Sequence, residues 1–159
     1  MNTKMIRKPF VMGVFISLSV FSTFESIAGS ATIQEPLSAK SWFKNSYAPL
    51  WKSHKTLQLE KLRKFYHASG FMRDQNRLTQ WQIPSTLENL IAMVKDKGWQ
   101  TSKIISIQAQ QINQSNVALT VVWQSEYSDQ SIEMSCEWYL ANFEEKNWIF
   151  TQHSFMNCL

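Results

Sequence analysis

Residues 117–157 constrain this chain more than any other stretch. Three runs, VALTVVWQSEY, IEMSCEWYLANF and WIFTQHSFM, follow one another with short polar breaks at 128–131 and 144–147. Rich in aromatic and β-branched residues, they predict three consecutive antiparallel strands. Alternate side chains of a strand point to opposite faces. A turn at Glu145-Lys146 therefore sets Trp138 opposite His153, Leu140 opposite Thr151 and Asn142 opposite Ile149. A turn at Ser128-Asp129 or at Asp129-Gln130 gives the first hairpin the same odd-to-even parity. One face then collects Leu119, Val121, Trp123, Met134, Cys136, Trp138, Leu140, Ile149, Thr151, His153 and Phe155, and reads as a core. The other carries Glu126, Glu133, Ser135, Glu137, Gln152 and Ser154, with an apolar end made by Tyr139, Ala141, Phe143, Trp148 and Phe150. That is the pattern of a sheet covered on one side.

The 159 residues, 44% hydrophobic and 18% charged, suffice for one domain with a core of its own. Lys4, Arg7 and Lys8 precede an apolar run at 10–20, the length of a signal-peptide core and short of the ~20 residues a spanning helix needs. Ser26-Ile27-Ala28 places small residues where a signal peptidase reads. The expectation is a signal peptide at 1–28, a linker at 29–36, a domain at 37–159, and a periplasmic or secreted protein that meets the membrane through its signal segment. An uncleaved anchor, with the run reaching Phe24, is the alternative. Removing 1–28 leaves thirteen basic against eleven acidic residues. No basic stripe with interleaved aromatics remains, which argues against a nucleic-acid partner. Export makes Cys136 and Cys158 a possible pair. Strand pairing sets Phe155 opposite Cys136 and gives Cys158 the wrong parity, so the bridge stays open.

The first half is helical in pattern. Phe43, Tyr47, Leu50, Trp51 and His54 recur at spacings of three and four, with Pro49 kinking the helix or confining its start to about Ser46. Thr56 can cap a second short helix carrying Leu59, Leu62 and Phe65 or Tyr66 inward and stopping near Gly70. Residues 71–83, with Asp74-Gln75-Asn76 at their centre, read as an excursion or small hairpin that returns Trp81 to the core. Ser85 and Glu88 form a capping box for a helix that Gly98 ends. Residues 103–112 then alternate as a strand, with Ile105, Ile107 and Ala109 on one face.

Tyr47, Trp51, Leu62-x-x-Phe65-Tyr66, Gly98-Trp99 and the hairpin from Trp138-Tyr139 to Asn147-Trp148 together span residues 37–155. In this order they resemble the nuclear transport factor 2-like superfamily, which includes SnoaL-like and ketosteroid-isomerase-like proteins. The resemblance implies an α+β cone, with N-terminal helices packed on a strongly curved antiparallel β-sheet and one end open, and often a dimer through sheet surfaces. It extends to similar domains of exported cell-wall enzymes, in which the domain binds and does not catalyse. Such a fold hosts isomerases, dehydratases, cyclases, hydrolases and binding modules, so the site must be argued directly.

Isomerase chemistry needs inward carboxyl groups whose burial tunes their protonation. Parity puts Glu126, Glu133 and Glu137 on the polar face and Asp74 in a turn, leaving no inward acid dyad. His54, His67 and His153 lack ligand-like spacing for a metal, and the four glycines form no phosphate loop, so no cofactor is expected. Cys136 and His153 share a face, but the apolar surroundings of Cys136 favour a structural cysteine over a nucleophile. Tyr47, Trp51, His54, Trp123, Trp138, Thr151 and His153 form the expected ligand-binding wall, suited to a flat or apolar molecule. The expected function is a non-catalytic exported module that binds a small apolar ligand, a peptide or an envelope protein. The alternative is a lyase or isomerase with His153 as general base. Tyr139, Phe143, Trp148 and Phe150, gathered on the wet face, are the expected contact of a homodimer, the alternative being that the chain's own linker and first helix fold over them.

Overall fold

The computed structural model describes residues 34–74, 77–156 and 158. The expected signal peptide, and residues 29–33 of the expected linker, lie outside these. A continuous helical stretch opens the described chain: α1 (Gln34–Trp42), a wide π turn (Phe43–Tyr47) and a 3₁₀ turn (Ala48–Lys52). Pro49 lies in the first 3₁₀ positions, where its missing N–H costs nothing, so the expected kink appears as a change of helical pitch. α1 begins at Gln34, inside the segment read as linker. Then follow α2 (Leu59–Leu62), β1 (Tyr66–Asp74), β2 (Arg77–Gln80), α3 (Ser85–Asp96), β3 (Trp99–Gln111), β4 (Asn116–Tyr127), β5 (Ile132–Glu144) and β6 (Asn147–Met156).

The strands make one sheet in the order β2-β1-β6-β5-β4-β3, antiparallel throughout except where β1 runs parallel to β6. Its concave face packs against the N-terminal helical stretch and α3. Phe43, Tyr47, Leu62, Leu87, Leu119, Val121 and Phe150 are fully buried there. This is the expected α+β arrangement, with β1 and β2 added to the four long strands of the sequence reading. Tyr66, read as the end of a helix, instead starts β1, and Gly70 sits within that strand. A Cβ at Gly70 would meet the Trp81 ring at 2.0 Å and the Thr151 carbonyl at 2.6 Å, so the glycine admits a close approach and does not stop a helix.

Two local signals resolve differently from their expected form. Thr56 does not cap α2; its hydroxyl donates to the Leu50 carbonyl at 3.0 Å and accepts from Ser53 N–H, closing the preceding helical stretch. Ser85 does not form a capping box either. Its hydroxyl donates to the Gln82 carbonyl, while the Thr86 hydroxyl accepts from Gln82 N–H. In β3 a register shift between Ile104 and Ser106 leaves Ile105 half exposed, while Ile107 keeps its place in the core.

The largest correction concerns the β4–β5 hairpin. Its loop holds three residues, Ser128, Asp129 and Gln130, bounded by a Tyr127 N–H to Ser131 carbonyl bond of 3.1 Å. Gln130 takes φ +67°, and the Asp129 carboxylate accepts from both the N–H and the hydroxyl of Ser131. A turn followed by one left-handed residue is the usual three-residue hairpin, and its odd length reverses the parity that either two-residue turn would give. Leu119 therefore pairs with Tyr139, Val121 with Glu137 and Trp123 with Ser135. Tyr139 and Ala141 point into the core, while Met134, Trp138 and Leu140 face out on the convex side.

The β5–β6 turn forms at Glu145-Lys146 as expected, both residues with positive φ. Asn142 pairs with Ile149, but one extra residue, Thr151, then bulges from β6. Beyond the bulge Tyr139 pairs with His153 and Cys136 with Met156. The shift gives Cys158 the parity of Cys136, and the two form a disulfide with Cα atoms 5.2 Å apart. Of the four residues on which the dimer was expected to rest, three are buried within the protein. Tyr139, Trp148 and Phe150 lie at 1%, 5% and 0% exposure, and of the four residues Phe143 alone is exposed. The protein's own helix covers them: the Trp148 indole donates to the Ser38 hydroxyl, and Phe150 packs edge-on to Trp42 and Tyr47.

Candidate functional site

On the concave side, the one-residue shift of β5 against β4 and the bulge of β6 bring Glu137 and His153 together. His153 is 1% exposed, and its Nε2 lies 2.9 Å from Glu137 Oε2. Its Nδ1 is 3.1 Å from the Tyr66 hydroxyl, which in turn is 2.9 Å from the Tyr47 hydroxyl. Tyr139, stacked on the imidazole at 4.2 Å, donates through its hydroxyl to Glu137 Oε2, and the Ser135 hydroxyl reaches Oε1. Four elements contribute: the π turn gives Tyr47, β1 gives Tyr66, β5 gives Ser135, Glu137 and Tyr139, and β6 gives His153.

The Tyr139 and Ser135 hydroxyls donate to the Glu137 carboxylate, and the Tyr66 and Tyr47 hydroxyls continue the network from the far nitrogen of the imidazole. Burial raises the Tyr47 pKa, and the nearby Glu137 charge raises it further. Burial is also the main cause at Tyr66 and Tyr139, both pushed well above the ordinary tyrosine value, with Glu137 adding to each. These tyrosines are therefore fixed donors.

Glu137 opens onto a chamber of about 150 Å³. Ser102, Ser125, Ser135 and the Glu137–His153 pair make its sheet side; Trp51, Trp99 and Trp123 are its aromatic walls; Leu90, Met93 and Val94 of α3 form the opposite side. The Ser102 hydroxyl is already held by the Trp99 indole at 2.8 Å and by Ser125 at 2.7 Å. The Trp123 indole N–H is buried without a hydrogen-bond partner. Trp51 N–H also lacks one in good geometry, though it lies near enough to the Tyr47 hydroxyl to hold that pKa down slightly. Glu133 stands at the exposed side, bonded by the Tyr127 hydroxyl, and the Tyr127 pKa is pushed up to about 12 by partial burial and that carboxylate.

Of the expected wall, Trp51, Trp123 and His153 line the chamber, and Tyr47 holds the network behind it. The other three do not belong. Trp138 faces the convex side through the parity reversal. Thr151 is the bulged residue, its hydroxyl 3.4 Å from the Leu140 carbonyl. His54 is exposed, edge-on to the outer side of Trp99 and bordering a separate surface depression. The residues missed were Glu137, Ser135, Tyr66, Tyr139 and Trp99. An inward carboxylate, judged absent from the sequence, is present. The signal that could have found it is Asp129-Gln130-Ser131, in which an Asp two residues before a Ser favours a side-chain-closed loop of odd length. Among the described residues no group of three His, Cys, Asp or Glu is placed to hold a metal ion. None of their helices is long and apolar enough to cross a membrane.

A helix-filled cone with this strand order is the nuclear transport factor 2-like fold, and comparison with solved structures agrees. An NTF-2 like protein of unknown function from Shewanella oneidensis MR-1 matches with a TM-score of 0.59 at 11% identity, over 77% of this chain and 99% of that one. An uncharacterised protein with a cystatin-like fold from Caulobacter vibrioides matches at 0.56 and 17%, over 77% and 91%. A ketosteroid isomerase-like protein of Shewanella frigidimarina NCIMB 400 matches at 0.55 and 10%, over 70% and 89%. No family model and no curated protein matches the sequence. At such identities the likeness is one of fold, and chemistry rests on the chamber.

Proposed function

We propose that this is an exported binding protein whose chamber takes one compact, largely apolar or aromatic small molecule, held by a polar contact to Glu137. The observation that carries the reading is a carboxylate presented to an otherwise aromatic chamber. A buried carboxylate weakens a core unless it is fully paired, and Glu137 keeps 14% of its side chain exposed on the chamber side. A cavity of ~150 Å³ holds a benzene-sized molecule, which favours a small ligand over a peptide or an envelope protein in this position. Export is supported by the basic and apolar N-terminal pattern together with the Cys136–Cys158 bridge, since such bridges persist in oxidising compartments.

Calorimetry with benzyl alcohol tests the reading. The wild type should bind with a dissociation constant of about 1 mM or tighter, near −4 kcal/mol. Val94→Phe, which fills the α3 side of the chamber, should abolish binding with melting unchanged. A wild type that takes up neither benzyl alcohol nor phenol would overturn it.

A second reading, a proton-transfer enzyme of the lyase or isomerase type, draws support from the inward carboxylate. In it Glu137 replaces His153 as the base, because both imidazole nitrogens are already engaged, by Tyr66 and by Glu137. His153 would then be a positioning residue.

A further inference from the structure

We propose that the ligand of this chamber is a small organic cation, a protonated or methylated amine, with Glu137 as its counter-ion. The inference rests on the binding reading above and adds the sign of the ligand's charge.

Three observations carry it. First, carboxylates outnumber lysines in the chamber's lining. Glu137 accepts from the Tyr139 and Ser135 hydroxyls, which stabilise its charge without cancelling it, and His153 Nε2 lies 2.9 Å away. Glu133 adds a second carboxylate toward the exposed side. Lys97 is the one basic residue among the chamber's lining, and it is exposed at the C-terminal end of α3. A neutral ligand would leave this negative field unanswered, and an anion would oppose it.

Second, the walls suit a cation. Trp51, Trp99 and Trp123 surround the chamber, with Trp51 and Trp99 packed edge to face at 5.8 Å. Indole is the strongest aromatic partner for a cation, and desolvation in a closed site strengthens the contact. Aromatic walls with a nearby carboxylate meet both needs of an ammonium group, which must replace its lost hydration and balance its charge.

Third, there is room for what the amine is attached to. A groove of about 770 Å³ between β1, β2 and α3 shares Leu90, Met93, Lys97 and Phe155 with the chamber. A substituent on the amine can continue outward past these residues. Asp74 and Lys97 are the charged residues of the groove's lining, one of each sign.

The test uses three probes of nearly one shape, benzylammonium, benzyl alcohol and benzoate, titrated calorimetrically into the mature protein at neutral pH and low salt. Benzylammonium should bind at least about tenfold tighter than the alcohol, a difference of ~1.4 kcal/mol, and benzoate should bind weakest. Glu137→Gln should erase the preference for the ammonium over the alcohol, whatever it does to the alcohol's own affinity. Its near-ultraviolet dichroism reports whether the variant is folded, and the wild-type ranking stands without it. Equal binding of ammonium and alcohol would overturn the cation while leaving the binding reading in place. Binding of benzoate above the others would also overturn it. Failure of all three to bind would remove both.

Discussion

The two faces of β5 show how differently one strand can be used. On the concave side Ser135, Glu137, Tyr139 and Ala141 meet helices, a histidine and a small chamber, and Tyr139 and Ala141 are closed from water. On the convex side Met134, Cys136, Trp138 and Leu140 alternate with them and remain half-buried or exposed. The convex set is the more hydrophobic of the two, yet it is not the core. What buries a side chain here is the element lying across it, and the N-terminal helical stretch lies across the concave face alone. The polar members of that face are tolerated because they satisfy one another: Glu137 accepts from Ser135 and Tyr139 and is bonded to His153.

The contrast is sharpened most by Phe150→Ala. Its ring, fully buried, touches those of Trp42, Phe43, Tyr47, Tyr66 and Tyr139. Denaturant unfolding should show a loss of about 3 to 5 kcal/mol, the usual cost of emptying an aromatic core site. A loss below ~1 kcal/mol would mean that the helices do not seal this face.

Alkali attacks the same face through its tyrosines. Tyr47, Tyr66 and Tyr139 have pKa values raised above the ordinary 10.0, chiefly by burial. The unfolded chain therefore releases tyrosine protons that the native protein keeps. Stability is fully present below pH 10 and falls as pH rises above it, by about 1.4 kcal/mol per pH unit for each of these tyrosines. Ultraviolet titration should find them un-ionised until the protein unfolds, whereas Tyr127, at about 12, begins to titrate in the native state. Early ionisation of three tyrosines would show the network to be open to water.

The smallest effect belongs to the convex face. Trp138→Ala should cost at most about 1 kcal/mol and leave benzyl alcohol binding unchanged, although tryptophan is the largest side chain on the strand. Weakened binding in this variant would place Trp138 back at the chamber and contradict the register.

Much of this fold was legible in the sequence. The order from α3 through the four long strands, the turn at Glu145-Lys146, the return of Trp81 to the core and the inward face of β4 follow from periodicity and turn chemistry, which act over a few residues. Trp51, Trp123 and His153 of the candidate site were legible for the same reason. Trp123 lies on a strand whose alternation is clean, and His153 lies on one where two separate shifts of register happen to cancel. Glu137 was not legible. Its direction depends on whether the loop at 128–130 holds two residues or three, and a change of one residue turns the whole strand over.

Composition and local spacing thus determined an α+β chain with an aromatic, single-domain core and an N-terminal segment of signal-peptide pattern. Tertiary structure alone decided which face of β5 is inside, that Cys136 reaches Cys158, and that a carboxylate stands in an aromatic chamber. The physical reason is that strand alternation defines two faces without saying which is which. That choice is made by loop length, by the bulge at Thr151 and by where the helices come to rest, and each depends on residues far apart in the chain.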